Sequence, residues 1–237
     1  MCRSAFIVHS SFESGIISQE KREIMPQLYE TIKQQCQNQC ELLIVSKRRS
    51  VAQIQAYYDR GARDFGENRA QELLEKAPQL PQDIRWNFIG HLQRNKVRAV
   101  LPYLYRVCSL DSLELASVLD KEAARLNRTI GVLAEFNLAE ESTKTGMDKT
   151  QAFAFFEALR QFEHLIPEGI LVMGPHVEDE AAIAAVFHEA RALFDQLKAQ
   201  FGDSRFTICS MGMSHDYPIA LREGSTQLRL GTILFED

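Results

Sequence analysis

The sequence predicts an α/β fold: a single-domain (β/α)8 barrel, or TIM barrel, with an extra N-terminal helix. Short β-rich runs alternate with helix-like stretches, which indicates parallel strands joined by crossover helices. Eight such repeats follow one another, which favours a closed barrel over an open sheet. The chain has 237 residues, close to the ~250 typical of one barrel, although length alone would also permit two small domains.

The predicted strands are short runs bounded by polar or glycine-containing segments, as expected for buried strands. In chain order they are Leu42–Ser46, Asp64–Glu67, Trp86–Gly90, Arg106–Leu110, Ile130–Leu138, Gly169–Gly174, Phe206–Met211 and Gln227–Gly231.

The segments between these strands have the apolar spacing of amphipathic helices. They are Val51–Arg60, Arg69–Lys76, Asn95–Leu101, Ser112–Leu126, Lys149–Leu165, Asp179–Gln200 and Tyr217–Glu223. A further helix is predicted for Gln19–Cys40, ahead of the first strand. Residues 1–18 have no periodic pattern, so we expect an irregular N-terminal segment followed by the barrel domain over residues 19–237.

Composition argues against several classes of function. The formal net charge of -5 disfavours general binding to nucleic acid or to a membrane surface. No run approaches the ~20 apolar residues that a membrane span needs, and the start does not resemble a signal peptide. Five cysteines, an odd number, do not suggest a disulfide framework and fit a cytoplasmic setting. No cluster of His or Cys residues supports a metal site.

Two glycine- and hydroxyl-rich motifs stand where the last two predicted strands end. They are Ser210-Met211-Gly212-Met213-Ser214 and Gly231-Thr232. Glycine lets the backbone approach a ligand closely, and Ser or Thr adds a hydroxyl donor. The final strands of a (β/α)8 barrel commonly hold a phosphate at this face. The motifs therefore predict a phosphate site.

Two basic residues stand near this predicted site. Lys47 ends the first strand and is either a solvated lysine or an amine at the barrel mouth that can form a Schiff base. Arg229 lies two residues before Gly231 and shares its side of the strand, so it points into the barrel. Its acceptor is either a carboxylate such as Glu67 or Glu135, or a group on a ligand.

Pyridoxal 5'-phosphate has a matching group for each of these elements. Its aldehyde suits Lys47, its phosphate suits the Ser/Gly/Thr motifs, and its ring nitrogen suits Arg229. Strands one and eight are neighbours in a closed barrel, so the combination is more informative than any of its parts.

Several motifs resemble those of the pyridoxal phosphate homeostasis proteins, also called the YggS/PROSC family, from about Leu42 to Phe235. They are Val45-Ser46-Lys47, Phe65-Gly66-Glu67-Asn68, Phe88-Ile89-Gly90-His91-Leu92-Gln93-Arg94-Asn95-Lys96, Lys144-Thr145-Gly146 and Ser210-Met211-Gly212-Met213-Ser214. The resemblance implies a fold like the N-terminal domain of alanine racemase, with Lys47 as the Schiff-base lysine.

The same resemblance implies a role for each predicted site residue. Arg229 would face the pyridine nitrogen, and Asn68 would lie near the cofactor, as would the Ile89-Gly90 turn. The phosphate contacts would be Ser210, Ser214, Gly231 and Thr232.

The function we expect is intracellular pyridoxal phosphate homeostasis, in which Lys47 holds the cofactor reversibly without strong catalytic turnover. Apo-enzymes are possible recipients, and the resemblance favours a monomer. One alternative is a single-domain pyridoxal-phosphate-dependent amino-acid racemase, for which Tyr217, His91 and His215 are candidate second bases. Another is a phosphate-binding barrel without this cofactor, such as a sugar-phosphate isomerase.

Overall fold

The chain forms a closed barrel of eight parallel strands that pair in chain order, and the last strand pairs with the first. A computed structural model describes residues 27–36, 39–139 and 146–235. The predicted (β/α)8 fold is confirmed. The predicted irregular segment, residues 1–18, lies outside the described residues, as does the beginning of the predicted N-terminal helix, residues 19–26.

All eight predicted strands are present. Most of the strand boundaries differ from the predicted ones by no more than two residues. The strands are β1 (Glu41–Val45), β2 (Asp64–Glu67), β3 (Arg85–Phe88), β4 (Leu104–Leu110), β5 (Ile130–Phe136), β6 (Leu165–Val172), β7 (Ile208–Ser210) and β8 (Gln227–Leu230).

Strand β6 begins earlier than predicted. The prediction started too late because Pro167 and Gly169 resemble strand breakers in the sequence. Val132 of β5 pairs with Pro167, and the next residue, Leu133, pairs with Gly169. Glu168 is thus the extra residue of a β-bulge. The bulge is possible because Gly169 has a φ of 148°, which L side chains rarely adopt.

The helices follow the strands as predicted and surround the barrel. They are α1 (27–36), α2 (Val51–Asp59), α3 (Ala70–Lys76), α4 (Arg94–Val100), α5 (Leu113–Arg125), α6 (Ala152–Leu159), α7 (Glu180–Phe201), α8 (Tyr217–Arg222) and a final turn, α9 (Thr232–Phe235). The helix predicted over Lys149–Leu165 is a 3-10 turn, Lys149–Gln151, followed by α6. No helix in the described ranges is long and apolar enough to cross a membrane.

Helix α1 packs against helix α2 on the outside of the barrel. Tyr29 and Ile32 are buried, and the ring centroid of Tyr29 lies 5.4 Å from that of Tyr57 in α2. The prediction that this helix continues to Cys40 is wrong. Residues 39 and 40 form a turn and a bend that lead directly into β1.

The apolar side chains divide between two cores. The larger core lies between the strands and the surrounding helices, whereas a smaller cluster of Cys108, Leu133, Leu171 and Ile208 is separate from it. These four residues belong to consecutive strands, β4 to β7. Since successive strand residues face opposite sides of a sheet, the smaller cluster fills part of the barrel interior.

We predict that Gly169→Ala destabilises the protein far more than Gly61→Ala. Both glycines have positive φ, 148° and 91°. A Cβ at Gly169 would lie 1.8 Å from the Ile208 carbonyl oxygen, whereas nothing lies within 4 Å of one at Gly61. Backbone strain alone costs about 1–2 kcal/mol, and the added clash should raise the loss at Gly169 to roughly 3–5 kcal/mol. Urea unfolding measures both, and equal losses would contradict the close approach of β6 to β7.

Candidate functional site

Lys47 lies in a tight turn at the C-terminal end of β1. The Arg49 N–H donates to the Ser46 carbonyl at 3.0 Å, so that Lys47 and Arg48 are the central residues of a β-turn. Arg48 has a φ of 61°, a conformation that favours glycine or asparagine. Val45 is buried and Lys47 is exposed. The amine therefore stands at the rim of the barrel and is accessible to a ligand.

A cavity of about 310 Å³ opens beside this turn. It brings together four of the seven predicted site residues, which come from the ends of three strands: Lys47, Asn68, Gly231 and Thr232. Its remaining lining residues are Val45, Arg48, Arg49 and Arg69. This lining carries four basic side chains and no acidic one, although the chain as a whole has a net charge of -5. The cavity is therefore suited to an anionic group.

Ser214 is held next to this cavity by the loop that follows β7. Its hydroxyl oxygen accepts the N–H of Ile233 at 3.2 Å, which places Ser214 against the α9 turn that Thr232 begins. The buried carboxylate of Asp216 accepts a hydrogen bond from the Met213 N–H at 2.6 Å and so helps to fix the conformation of this loop. The two predicted hydroxyl residues, Ser214 and Thr232, are thus on adjacent segments.

Gly231 lies at the point where β8 comes closest to the end of β1. A Cβ at this position would lie 3.1 Å from both the Cβ and the carbonyl oxygen of Val45. A side chain there would therefore press on the wall that carries Lys47. This close approach explains why the motif has glycine at this position.

Arg229 is buried inside the barrel, as predicted, and two neutral oxygens accept its hydrogen bonds. Nη1 donates to Ser210 Oγ and Nη2 donates to the Val172 carbonyl, each at 2.9 Å. Burial lowers the pKa of the guanidinium, and nearby acidic groups such as Glu135 act against this effect. Glu67, one of the carboxylates considered as its partner, instead pairs with Lys76 at 2.8 Å.

Ser210 lies inside the barrel and is not among the residues that line the Lys47 cavity. It is fully buried, donates to Gln227 Oε1 at 2.7 Å, and accepts from Arg229. Its one proton and its oxygen therefore already have partners within the barrel. The geometry makes Ser210 the residue that orients Arg229, and it offers no support for the predicted contact with phosphate.

The polar chain that continues from Ser210 was not predicted. Gln227 donates to Glu41 at 2.9 Å, and Arg106 contacts both Glu41 at 3.3 Å and Glu168 at 2.5 Å. Since β1, β4 and β6 are not adjacent, these contacts cross the barrel interior. One signal was available in the sequence: Gln227 and Arg229 are two residues apart and so share a face.

The candidate second bases of the racemase alternative lie elsewhere. Tyr217 packs against the larger hydrophobic core. His91 Nδ1 lies 3.2 Å from Asp111, and His215 Nε2 lies 3.3 Å from Asp216. As far as the described residues show, none of the three lines the Lys47 cavity. Lys144 and Thr145, which belong to one of the family-like motifs, lie outside the described residues.

Comparison with known proteins identifies the family. Residues 26–237 match the family model described as alanine racemase, N-terminal domain. The chain is 33% identical over 220 residues to the pyridoxal phosphate homeostasis protein of Aquifex aeolicus, covering 90% of this chain and 96% of that protein. The chain belongs to the pyridoxal phosphate homeostasis protein family. A relative of the same name from Synechocystis is 36% identical over 214 residues, which cover 90% of this chain and 98% of the relative.

A solved structure has a closely similar fold. PipY of Synechococcus elongatus without PLP gives a TM-score of 0.84 at 34% identity, covering 90% of this chain and 99% of PipY. PipY with PLP bound gives a TM-score of 0.81 at 33% identity, covering 89% and 99%. The family membership expected from the motifs is confirmed.

We predict that Ser210→Ala destabilises the ligand-free protein, because it leaves Arg229 Nη1 and Gln227 Oε1 without a partner inside the barrel. Such a loss costs about 1–3 kcal/mol. Ser214→Ala removes one bond at a partly exposed position and should cost less than about 1 kcal/mol. Urea unfolding of both variants gives the comparison. If Ser210 served only as a ligand contact, its removal would leave the stability of the ligand-free protein unchanged.

Proposed function

We propose that this protein binds pyridoxal 5'-phosphate at the barrel mouth formed by the ends of β1, β2, β7 and β8, and that it acts in cellular homeostasis of this cofactor. The observation that carries the proposal is the shared cavity, in which the amine of Lys47 faces the same space as Gly231 and Thr232. Two relatives bear the name pyridoxal phosphate homeostasis protein, and PipY has been solved with PLP bound.

The cavity fits the phosphate group of this cofactor. Its four basic side chains complement a doubly charged anion. Gly231 leaves the backbone uncovered, and Thr232 provides a hydroxyl donor on the cavity wall. Ser214 adds a second hydroxyl from the neighbouring loop. We therefore assign the phosphate to Ser214, Gly231 and Thr232, and Asn68 to the opposite side of the cavity.

Lys47 would provide the covalent link. Bound pyridoxal phosphate would supply an aldehyde, and the Lys47 amine would hold it as a Schiff base with loss of one molecule of water. Lys47 is exposed and belongs to a turn open to solvent. Water can therefore reach the link and reverse it, which suits a protein that holds its ligand and gives it up.

Arg229 would serve as the partner of the ring nitrogen. A guanidinium has donors and no acceptor, so it donates to an unprotonated nitrogen and keeps it unprotonated. The ring is then a weaker electron sink than it would be with an aspartate partner. Among the described residues that line the cavity there is no carboxylate, imidazole or phenol. These features favour holding the cofactor over racemising an amino acid.

The proposal extends to the setting in which the protein works. The described cysteines, Cys36, Cys40, Cys108 and Cys209, are free thiols, which suits a reducing cytoplasm. Few large apolar side chains are exposed among the described residues, which suits a monomer. Apo-forms of pyridoxal-phosphate enzymes are the proposed recipients, because the link through Lys47 is reversible.

We predict that protein loaded with pyridoxal phosphate absorbs in the visible range, and that borohydride reduction fixes a pyridoxyl group on Lys47. Lys47→Ala should lose this adduct and bind at least about tenfold more weakly, since a covalent link contributes more than the ~1.4 kcal/mol of a tenfold change. Lys121→Ala, which changes an exposed lysine of α5, serves as the matched control and should behave as the unchanged protein. Absorbance titration and peptide mass mapping provide the measurements.

Experiments with the same loaded protein distinguish a cofactor carrier from a catalyst. On mixing with an apo-enzyme, we expect the cofactor to transfer and the apo-enzyme to gain activity. Turnover of an amino acid enantiomer by the loaded protein, lost in Lys47→Ala, would instead establish the racemase alternative. A protein that cannot be loaded at all would overturn the proposal.

A further inference from the structure

A group of charged residues, two of them buried, lies on the outer side of the barrel wall, directly behind the Lys47 turn. It consists of Glu67 at the end of β2 and of Glu72 and Lys76 in α3. Lys76 Nζ donates to Glu67 Oε1 and to Glu72 Oε2, each at 2.8 Å. None of these three residues lines the Lys47 cavity. We call the group the α3 clamp.

The clamp contacts the residue immediately before Lys47. Lys76 Nζ donates to the Ser46 carbonyl at 3.0 Å, which is the same oxygen that accepts the Arg49 N–H and closes the turn. Ser46 Oγ donates to Glu67 Oε1 at 2.7 Å. The carbonyl and the hydroxyl of Ser46 are thus both held by the clamp.

The clamp also contacts the residue immediately after Lys47. The backbone N–H of Arg48 donates to Glu72 Oε2 at 2.7 Å. Partial burial opposes ionisation of Glu72, but the bonds from Lys76 and from the Arg48 N–H outweigh it and lower the pKa of this carboxyl. Arg48 is also the residue with the unfavourable φ of 61°. Such a conformation persists only where surrounding contacts determine it.

Burial of the clamp gives these contacts their rigidity. Glu67 is fully buried and Lys76 is 8% exposed. Burial raises the pKa of the Glu67 carboxyl, although bonds from Lys76 and Ser46 oppose the change. An arrangement of this kind contributes less to stability than its number of ion pairs suggests, because desolvation offsets the attraction. Its geometric role is therefore of greater interest.

We propose that the α3 clamp positions Lys47 for its reaction with the ligand aldehyde, and that Glu72 and Lys76 are positioning residues that hold the turn from both sides. The inference rests on the proposed function for its ligand. Its geometric part is independent of any ligand: removing the clamp should free the backbone at Arg48 and widen the range of directions in which the Lys47 amine points.

Glu72→Ala is the decisive variant, because Glu72 is partly exposed and its replacement should leave the barrel folded. We expect faster hydrogen exchange of the Arg48 amide and a Lys47 adduct with pyridoxal phosphate whose equilibrium constant falls about tenfold, since small misplacement of a reacting group has effects of this size or larger. Glu72→Gln keeps an acceptor oxygen for the Arg48 N–H and should restore most of both properties.

Glu75→Ala is the matched control. Glu75 is an exposed residue of the same helix whose carboxylate accepts from Gln71, so the variant makes the same change of charge away from the turn. Leu119→Ala, a buried change in α5 between β4 and β5, controls for a general loss of stability. Neither variant should alter exchange at Arg48 or the adduct constant.

The outcomes separate the two proposals. A folded Glu72→Ala variant with an unchanged adduct constant would overturn the positioning role while leaving cofactor binding intact. An unchanged protein that forms no adduct would overturn the proposed function, and Arg48 exchange would still test the clamp. Leu119→Ala lowering the adduct constant as much as Glu72→Ala would show that the effect is one of general stability, and would also overturn the positioning role.

Discussion

Closure of the barrel by the pairing of β8 with β1 is the constraint on which the site depends. Leu43 pairs with Arg229 and Ile44 with Leu230, which joins residues at opposite ends of the chain. This pairing brings the turn containing Lys47 next to Gly231 and allows the two strands to share one cavity. Without closure, Lys47 and Gly231 would belong to separate edges of an open sheet.

A path of polar side chains crosses the interior of the barrel. It runs from Arg229 through Ser210 and Gln227 to Glu41 and Arg106. Buried polar groups are stable in such an interior only when their partners are supplied by other strands. The Arg229 guanidinium is therefore held in one place by contacts that extend through the core.

Two sets of contacts thus fix Arg229 and the Lys47 turn from different directions. The polar path fixes Arg229 from within the barrel interior, whereas the α3 clamp contacts the Lys47 turn from the outer side of the barrel wall. Neither support contributes a group to the cavity itself. A site that must hold a small ligand in one orientation depends on such supporting contacts as much as on the residues that touch the ligand.

The sequence by itself determined the fold class, the family and the position of Lys47, because strand–helix alternation and short motifs are local properties of the chain. It placed the start of β6 too late, where Pro167 and Gly169 are accommodated by a bulge, and it did not reveal the bonds of Ser210 to Gln227 and Arg229. Only the tertiary structure decided the partners of Ser210 and the existence of the α3 clamp. These depend on which side of a strand faces which distant element, and that is fixed only when the barrel closes.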